Sequence, residues 1–278
     1  MLIMLDLDGT LLNNQSLISE ESKKYLEKLK LKGHTIVLIT GRPHRGCINF
    51  YNELNLNTPL IVDNGASIYG MGNFPDKFYT IPKAILDEMF LTFKEHLVTA
   101  YFTVDNYLYT YKIEKRLEFY FHLNSDTKII EKPLNEIDVE APLMVLAIKK
   151  PYHKDFEKFI EDKEILELRS WGEDKKNAVY EIYLKGIHKG KALLDVIELL
   201  KFDKKDVIAF GDGDNDVELI NYAYRGVAMK NAADVVKEVS DEITRYDNHE
   251  NGVIKHLKEI IKDWKQKSFQ SYFLLNFL

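Results

Sequence analysis

Carboxylates follow two short apolar runs of the sequence, at the point where each run ends. Asp6 and Asp8 follow residues 1–5, and the sequence Gly-Asp-Gly-Asp-Asn-Asp at 211–216 follows residues 207–210. Crowded carboxylates repel one another and lose hydration when buried, and a bound divalent cation relieves both costs. Asp6, Asp212 and a backbone carbonyl near Asp8 would supply oxygen ligands of the kind that Mg²⁺ prefers. An EF-hand calcium loop is disfavoured, because its twelfth position, counted from Asp212, is Ala223 rather than a glutamate.

Cations and hydrogen-bond donors stand at two other predicted element ends. Thr40 and Gly41 follow the β-branched run 34–39, and Lys189 stands at the predicted start of a helix, where the dipole favours an anion. Together these three residues could hold a phosphoryl group and stabilise the charge on its oxygens. Asp6 could then attack the phosphorus, since a carboxylate is ionised at neutral pH. Asp8 could protonate the leaving oxygen, a role for which we expect burial beside a second carboxylate to raise its pKa.

The elements that position these residues follow from the hydrophobic pattern. Short apolar runs predict buried strands at 1–5, 34–39, 60–62 and 207–210, and Ser19 is a plausible N-cap for a helix ending near Lys32. A strand, a helix and a second strand in succession predict a βαβ unit of a parallel sheet. Ligands bind at the carboxyl ends of the strands in such sheets, so the sequence predicts an α/β fold with its site at that edge.

The middle third of the chain has a different pattern. Aromatic and β-branched residues at 100–104 and 107–111 flank Asp105-Asn106, which predicts a hairpin, and helices are expected at 83–97, 114–123 and 152–162. We therefore interpret residues 83–184 as an inserted α+β domain, and residues 1–82 with 185–278 as the catalytic core. The aromatic residues between 101 and 121 are interpreted as the core of the inserted domain rather than as a surface on which substrate stacks.

Composition narrows the class of protein. The 278 residues are 45% apolar and 29% charged, which is ordinary for a globular chain, and the net charge of −6 argues against a nucleic-acid binder. A single cysteine, Cys47, fits a reducing compartment, and we find neither a signal peptide nor an apolar stretch of membrane-spanning length. We expect a cytoplasmic protein, monomeric or a small homo-oligomer. The apolar tail 268–278 has no assigned role.

Five motifs occur in the order found in the haloacid dehalogenase superfamily. They are Asp6-Leu7-Asp8-Gly9-Thr10, Thr40-Gly41-Arg42, Asn64-Gly65-Ala66, Lys189-Gly190 and Gly211-Asp212-Gly213-Asp214-Asn215-Asp216. The chain resembles more narrowly the Cof-type sugar phosphatases, which carry a type IIB α+β cap inserted after the Asn-Gly-Ala strand. The resemblance extends to about Lys267 and implies a Rossmann-like core with a parallel sheet and an inserted cap.

The resemblance also implies a role for each matching residue. Asp6 is expected to be the nucleophile and Asp8 the general acid and base. The expected metal site comprises Asp6, Asp8, Asp212 and the supporting Asp216. The expected phosphate and substrate contacts are Thr40, Gly41, Lys189 and Asn215, with Arg42 at the rim or in a supporting network. The chain departs from the family at Met229-Lys230-Asn231-Ala232, where Met-Gly-Asn-Ala is common, and we expect little effect on the chemistry.

These residues predict a Mg²⁺-dependent phosphatase that hydrolyses a small phosphorylated metabolite through an aspartyl phosphate. A phosphomutase of the same fold is one alternative, and a non-catalytic module that binds Mg²⁺ or phosphate is another. Dehalogenation is disfavoured, because departure of a halide needs no general acid and Asp8 would have no role. Sugar phosphates, flavin mononucleotide and pyridoxal phosphate all remain open as substrates.

Overall fold

The computed structural model describes residues 1–115, 122–123 and 125–261. The predicted helix 114–123 falls largely outside the described residues, as does the tail 268–278. The sequence also predicts a closing helix at 250–267, and its residues 262–267 lie outside the described residues. No helix among the described residues has the length and apolar character needed to span a membrane.

The strands and helices of the described residues are as follows. The strands are β1 (Leu2–Leu5), β2 (Thr35–Ile39), β3 (Leu60–Val62), β4 (Ser67–Tyr69), β5 (Lys77–Phe78), β6 (Leu97–Val104), β7 (Tyr107–Thr110), β8 (Lys128–Glu131), β9 (Leu143–Lys149), β10 (Leu166–Glu173), β11 (Asn177–Leu184), β12 (Val207–Gly211), β13 (Arg225–Ala228) and β14 (Glu242–Ile243). The helices are α1 (Glu20–Leu31), α2 (His44–Glu53), α3 (Lys83–Phe93), α4 (His153–Glu161), α5 (Lys189–Leu200), α6 (Val217–Tyr222), α7 (Asp234–Glu238) and α8 (252–261).

The described chain divides into two compact units. The first contains residues 1–38 and 53–56 together with the chain from 193 onward, and the second contains residues 39–52 and 57–192. The second unit therefore includes more of the chain than the predicted insertion at 83–184. The boundaries of the catalytic core and the cap stay a prediction.

The first unit contains a parallel sheet with strand order β14-β13-β12-β1-β2. Every residue of β1 is fully buried, as the unbroken apolar run predicts. Leu5 is in register with Phe210 on one side and with Leu38 on the other. Asp6 and Asp212 consequently leave neighbouring strands at the same carboxyl edge of the sheet. Ser19 caps α1 as predicted, because its side chain accepts a hydrogen bond from the Ser22 amide at 3.0 Å.

The second unit contains two groups of strands. Strands β3, β4 and β5 pair antiparallel, and a separate mixed sheet has the order β10-β11-β9-β6-β7-β8 among the described residues. Helices α3 and α4 supply Phe90, Phe93 and Phe156 to a large apolar core that also contains Phe102 of the mixed sheet. This α+β arrangement confirms the predicted character of the middle third of the chain.

The mixed sheet buries apolar side chains on both faces. Phe102 belongs to the large core, whereas Tyr101 belongs to a smaller cluster with Leu108, Val145 and Ala147. Successive side chains of a strand point to opposite faces, which explains why two adjacent aromatic residues have different neighbours. The expectation that these aromatic residues belong to the domain core is therefore correct for both Phe102 and Tyr101, each of which is buried in one of the two clusters.

Candidate active site

Three carboxylates of the first unit converge where β1 and β12 end. One oxygen from each of Asp6, Asp212 and Asp216 lies within 4.8 Å of the others. Asp6 is 4% exposed and Asp216 is 1% exposed, and Asp212 is half-buried. Ionised carboxylates this close repel one another, and a cation bound among them would offset that repulsion. Sequence reasoning predicted all three residues.

The turn after β1 fixes the position of Asp212. Residues 7–11 form a tight, irregular turn, which the Leu12 amide closes by donating to the Leu7 carbonyl at 2.8 Å. Within it the backbone of Asp8 is extended and Gly9 has a φ of +71°. Thr10 follows this glycine and donates a hydrogen bond from Oγ1 to Asp212 Oδ1 at 2.8 Å. A β-carbon at Gly9 would lie 2.7 Å from Asp212 Oδ1, closer than atoms normally approach. Glycine is required here both for its backbone conformation and for the approach of the aspartate.

Asp216 anchors the loop that follows β12. Its Oδ2 atom accepts hydrogen bonds from the backbone amides of Asp212 and Gly213, each at 3.0 Å. One carboxylate thus satisfies two amides and fixes the backbone of a neighbouring carboxylate. A carboxylate has two oxygens, so this anchoring role is compatible with a second role toward a cation.

Asp8 differs from the expectation. Its side chain is exposed, and it does not belong to the group of three carboxylates. The prediction that burial beside another carboxylate would raise its pKa is wrong in its premise. The alternation that would place Asp6 and Asp8 on one side holds only within a strand, and β1 ends at Leu5. A role for Asp8 through its backbone carbonyl stays a prediction.

The donor set fits a hard divalent cation. Mg²⁺ takes oxygen ligands and is commonly bound through a few carboxylates, with water and substrate phosphate completing its shell. Asp6, Asp212 and Asp216 offer such oxygens, and two of them are buried carboxylates whose charge a cation would balance. The group of carboxylates is therefore a candidate Mg²⁺ site.

The second unit collects the polar residues predicted to bind phosphate. The Asn64 amide donates to the Thr40 carbonyl at 3.1 Å, and the Asp63 amide donates to the Arg42 carbonyl at 3.0 Å. These bonds hold the Thr40-Gly41-Arg42 segment against the turn of residues 63–65. The Thr40 hydroxyl accepts a hydrogen bond from the Arg42 amide at 3.1 Å, which shapes the segment itself.

Lys189 begins α5 and is 1% exposed. The preceding residue, His188, accepts a hydrogen bond at Nδ1 from the Lys191 amide at 3.2 Å and so satisfies one amide at the start of the helix. A β-carbon at Gly65 would lie 2.7 Å from the His188 carbonyl oxygen, so the turn of residues 63–65 packs directly on this helix start. The second unit therefore brings Lys189 close to the segment that contains Thr40 and Gly41.

Arg42 and Asn215 occupy different surroundings. Arg42 donates from Nη1 to the Gly46 carbonyl at 3.1 Å, and its guanidinium lies 5.4 Å from the centre of the Phe50 ring. These contacts fit the supporting role expected for Arg42. Asn215 lies half-buried in the first unit, on the loop that Asp216 anchors. Their contacts with substrate stay predictions.

Sequence reasoning missed two asparagines that hold the turn after β1. Asn231 donates from Nδ2 to the Gly9 carbonyl at 2.8 Å, and the Asn248 amide donates to Asn231 Oδ1 at 3.0 Å. Asn248 also donates from Nδ2 to the Leu12 carbonyl at 2.8 Å. Asn231 belongs to the segment that departs from the family at Lys230, and the Lys230 side chain is exposed. The departure therefore leaves this support in place.

Sequence reasoning also missed Asp63, a buried acid in the second unit. Asp63 is 5% exposed and accepts a hydrogen bond from the Ser67 hydroxyl at 2.8 Å. Burial raises the pKa of its carboxyl to about 7, although the Ser67 hydrogen bond and the positive charge of Arg45 both act to lower it. Asp63 directly precedes the Asn-Gly-Ala motif, and this adjacency was the only available signal in the sequence.

Three comparisons relate this chain to known proteins. A family model described as haloacid dehalogenase-like hydrolase matches residues 3–257. The 5-amino-6-(5-phospho-D-ribitylamino)uracil phosphatase YitU of Bacillus subtilis is 29% identical over 93% of this chain and 96% of its own length. A solved haloacid dehalogenase-like hydrolase from Bacteroides thetaiotaomicron is 27% identical with a TM-score of 0.77, covering 93% of this chain and 98% of its own. The structure of the HAD subclass IIB sugar phosphatase BT4131 has a TM-score of 0.74 at 24% identity, with the same coverage.

The comparisons confirm the resemblance and the α/β fold with a parallel-sheet core and an inserted α+β cap. They also bear out the predicted enzyme class, a phosphoric monoester hydrolase. The match to the family model extends over most of the sequence and includes every motif quoted above. The chain belongs to the haloacid dehalogenase-like hydrolases.

Proposed function

We propose that this protein is a Mg²⁺-dependent phosphatase that hydrolyses a small phosphate ester through an aspartyl-phosphate intermediate. The observation that carries the proposal is the group of Asp6, Asp212 and Asp216, whose oxygens lie within 4.8 Å of one another at one edge of a parallel sheet. Mg²⁺ held there would neutralise charge on the transferred phosphoryl group. The family to which the chain belongs supports the same chemistry.

Asp6 is the nucleophile in this proposal. Its carboxylate attacks phosphorus, the bond to the leaving oxygen breaks, and Asp8 donates a proton to that oxygen. Asp8 then takes a proton from the water that hydrolyses the acyl phosphate, which releases inorganic phosphate and regenerates Asp6. The exposed position of Asp8 leaves its carboxyl accessible to a bound substrate and to water.

Thr40, Gly41 and Lys189 bind the phosphoryl oxygens in this proposal. A hydroxyl, a backbone amide and an ammonium at a helix start are suitable donors for a phosphate. Lys189 is almost completely buried at the start of α5, where its ammonium and the helix dipole both favour an anion. Asn215 would lie beside the substrate, and Arg42 would support the phosphate-binding segment.

The remaining parts of the chain complete the proposal. Residues 83–184 act as a cap that selects the leaving group, and residues 1–82 with 185–278 carry the chemistry. The single cysteine and the acidic net charge fit a cytoplasmic enzyme of small metabolites, monomeric or a small homo-oligomer, with no nucleic-acid or membrane partner. The relative YitU is named for a ribitylaminouracil phosphate, which makes esters with a phosphorylated ribityl chain the first substrates to test.

Phosphate release from a panel of esters tests the proposal. Wild type and Asp6→Asn are assayed with Mg²⁺ and with chelator. We expect release by wild type that requires Mg²⁺ and that Asp6→Asn abolishes. Release that persists in Asp6→Asn would exclude the aspartyl-phosphate route. Transfer back to substrate that depends on a bisphosphate activator would instead identify a mutase, and metal binding without any turnover would identify a binding module.

A further inference from the structure

The second unit contains a pocket beside the predicted phosphate-binding segment. It is a small cleft that opens to solvent, with a cavity volume of about 60 Å³. Gly41, Pro43 and Asp63 form one part of the lining. The remainder comes mainly from the mixed sheet and comprises Tyr101, Phe102, Thr103, His122, Leu143, Val145, Trp171 and Glu181. Because Gly41 belongs to the predicted phosphate-binding segment, the pocket is well placed for the leaving group to which the phosphate is attached.

Aromatic and aliphatic side chains dominate the mixed-sheet side of this pocket. Tyr101 and Val145 belong to the smaller apolar cluster of the sheet, and Leu143 packs against the same cluster. Trp171 of β10 is 37% exposed, so a large part of its indole remains accessible. An accessible indole beside apolar side chains offers a surface on which a flat ring can stack.

A hydrogen bond holds the indole in place. Trp171 donates from Nε1 to Glu181 Oε2 at 3.4 Å, and Arg169 donates to the same oxygen at 3.1 Å. The other oxygen of Glu181 accepts a hydrogen bond from Asn64 Nδ2 at 3.1 Å. Glu181 is only 2% exposed, so this network is fixed before any ligand arrives. A carboxylate accepts about four hydrogen bonds, which leaves Glu181 capacity for a further donor from a ligand.

The charge of the lining restricts the ligand further. Asp63 and Glu181 are acids, and no lysine or arginine occurs among the described residues that line the pocket. A second phosphate or a carboxylate on the leaving group would face these two acids, and Arg169 already donates to one of them, Glu181, at 3.1 Å. A neutral or cationic group that carries N–H or O–H donors meets acceptors instead.

We propose that this pocket binds a flat nitrogen-containing ring of the leaving alcohol, stacked on Trp171 with a ring donor directed to Glu181. The inference rests on the proposed phosphatase function and narrows its substrate class. The preferred substrates are then phosphate esters that carry an uncharged or cationic heterocycle, rather than simple sugar phosphates. Trp171 and Glu181 act on specificity and take no part in the transfer of the phosphoryl group.

Matched pairs of esters and alcohols provide the test. Flavin mononucleotide and ribitol 5-phosphate share a phosphorylated ribityl chain and differ by the ring, and pyridoxal phosphate supplies a smaller ring. We expect kcat/KM for at least one ring ester to exceed that for ribitol 5-phosphate by tenfold or more. Trp171→Leu should lower this ratio about tenfold, whereas Trp171→Phe, which keeps a flat ring, should retain most of it.

Binding of the free alcohols distinguishes this inference from the phosphatase proposal. Calorimetric titration of the full chain with riboflavin, pyridoxine and ribitol needs no turnover. If a ring alcohol binds to wild type and binds more weakly to Trp171→Leu, the pocket assignment is supported even if no ester is hydrolysed. Equal kcat/KM values for ring and ribityl esters would overturn it. Equal losses of kcat/KM for ring and ribityl esters in Trp171→Leu would also overturn the inference, as would ring alcohols that bind no more tightly than ribitol.

Discussion

Replacement of Gly9 by alanine tests the link between the turn after β1 and the carboxylate group. Gly9 has a φ of +71°, and a β-carbon added there would lie 2.5 Å from Asp212 Cγ and 2.7 Å from Asp212 Oδ1. Both distances are below any normal contact, so Asp212 must move. The Thr10 hydrogen bond to Asp212, now 2.8 Å long, would stretch or break, and the three carboxylates would no longer converge.

Gly33 supplies a matched control. It has a φ of +82°, and nothing lies within 4 Å of an added β-carbon. Gly33→Ala therefore reports the cost of an unfavourable backbone conformation alone, about 1 kcal/mol. Gly9→Ala incurs the same cost and also loses a hydrogen bond to a charged group, worth about 2 kcal/mol. We expect Gly9→Ala to destabilise the protein by about 3 kcal/mol and Gly33→Ala by about 1 kcal/mol.

The assay compares denaturant unfolding of both variants with and without Mg²⁺, together with phosphate release. A cation that binds only the folded state raises the free energy of unfolding. Wild type and Gly33→Ala should both gain stability from Mg²⁺, and Gly9→Ala should lose most of that gain and at least tenfold in kcat/KM. An equal gain in the two variants, with equal activity, would refute the reasoning that Gly9 allows Asp212 to complete the site.

Three further outcomes follow from the same structure. Asp6→Asn should unfold with a free energy close to that of wild type, because the amide keeps the shape of the carboxylate, while phosphate release falls below detection, because an amide cannot replace the nucleophile. A large loss of stability would contradict this. Chelation should abolish release by wild type and Mg²⁺ should restore it; release that chelator leaves unchanged would argue against a metal role for Asp212. The pKa of the Asp63 carboxyl is raised to about 7, so the folded state retains its proton at pH values where the unfolded chain has lost it. This contribution to stability is complete below about pH 4 and is lost as pH rises through 7. Asp63→Asn should therefore gain on the order of 2 kcal/mol relative to wild type between pH 5 and pH 8 in urea unfolding, and a constant difference would show that the carboxyl titrates normally.

Buried strands and capped helices were predictable because their signals are local. Each residue of β1 is apolar and fully buried, and Ser19 both precedes α1 and accepts the amide hydrogen bond expected of an N-cap. Strands β4, β5 and β8 were not predicted. These strands are two to four residues long, and β5 and β8 lie at sheet edges where side chains such as Lys77 and Lys128 are exposed. Exposed edge strands lack the apolar alternation by which strands are recognised.

The positions of Asp6 and Asp212 were predictable because their signals are also local, whereas the pocket lined by Trp171 and Glu181 was not predictable. Asp6 and Asp212 directly follow buried strands, and register places them at one edge. The exposure of Asp8 depends on an irregular turn with Gly9 in a left-handed conformation, which spacing alone does not indicate. Asn64 and Glu181 are 117 residues apart in the sequence, and their hydrogen bond depends on how the strands of the second unit pair. No periodicity within one element could reveal such a partner.

The residues proposed to act on the phosphoryl group and those proposed to select the leaving group should have different effects on kcat/KM. In the proposed mechanism Asp6, Asp8 and Asp212 act on the phosphoryl group, which every ester shares, so their loss should lower kcat/KM for all esters by a similar factor. Trp171 and Glu181 are proposed to contact the part of the substrate that differs between esters, so their loss should change the ratio of kcat/KM values between substrates. If the substitution of a pocket residue lowered kcat/KM equally for all esters, that residue would have to act through the catalytic groups. The ratio between flavin mononucleotide and ribitol 5-phosphate therefore assigns each residue to chemistry or to selection without a structure of the complex.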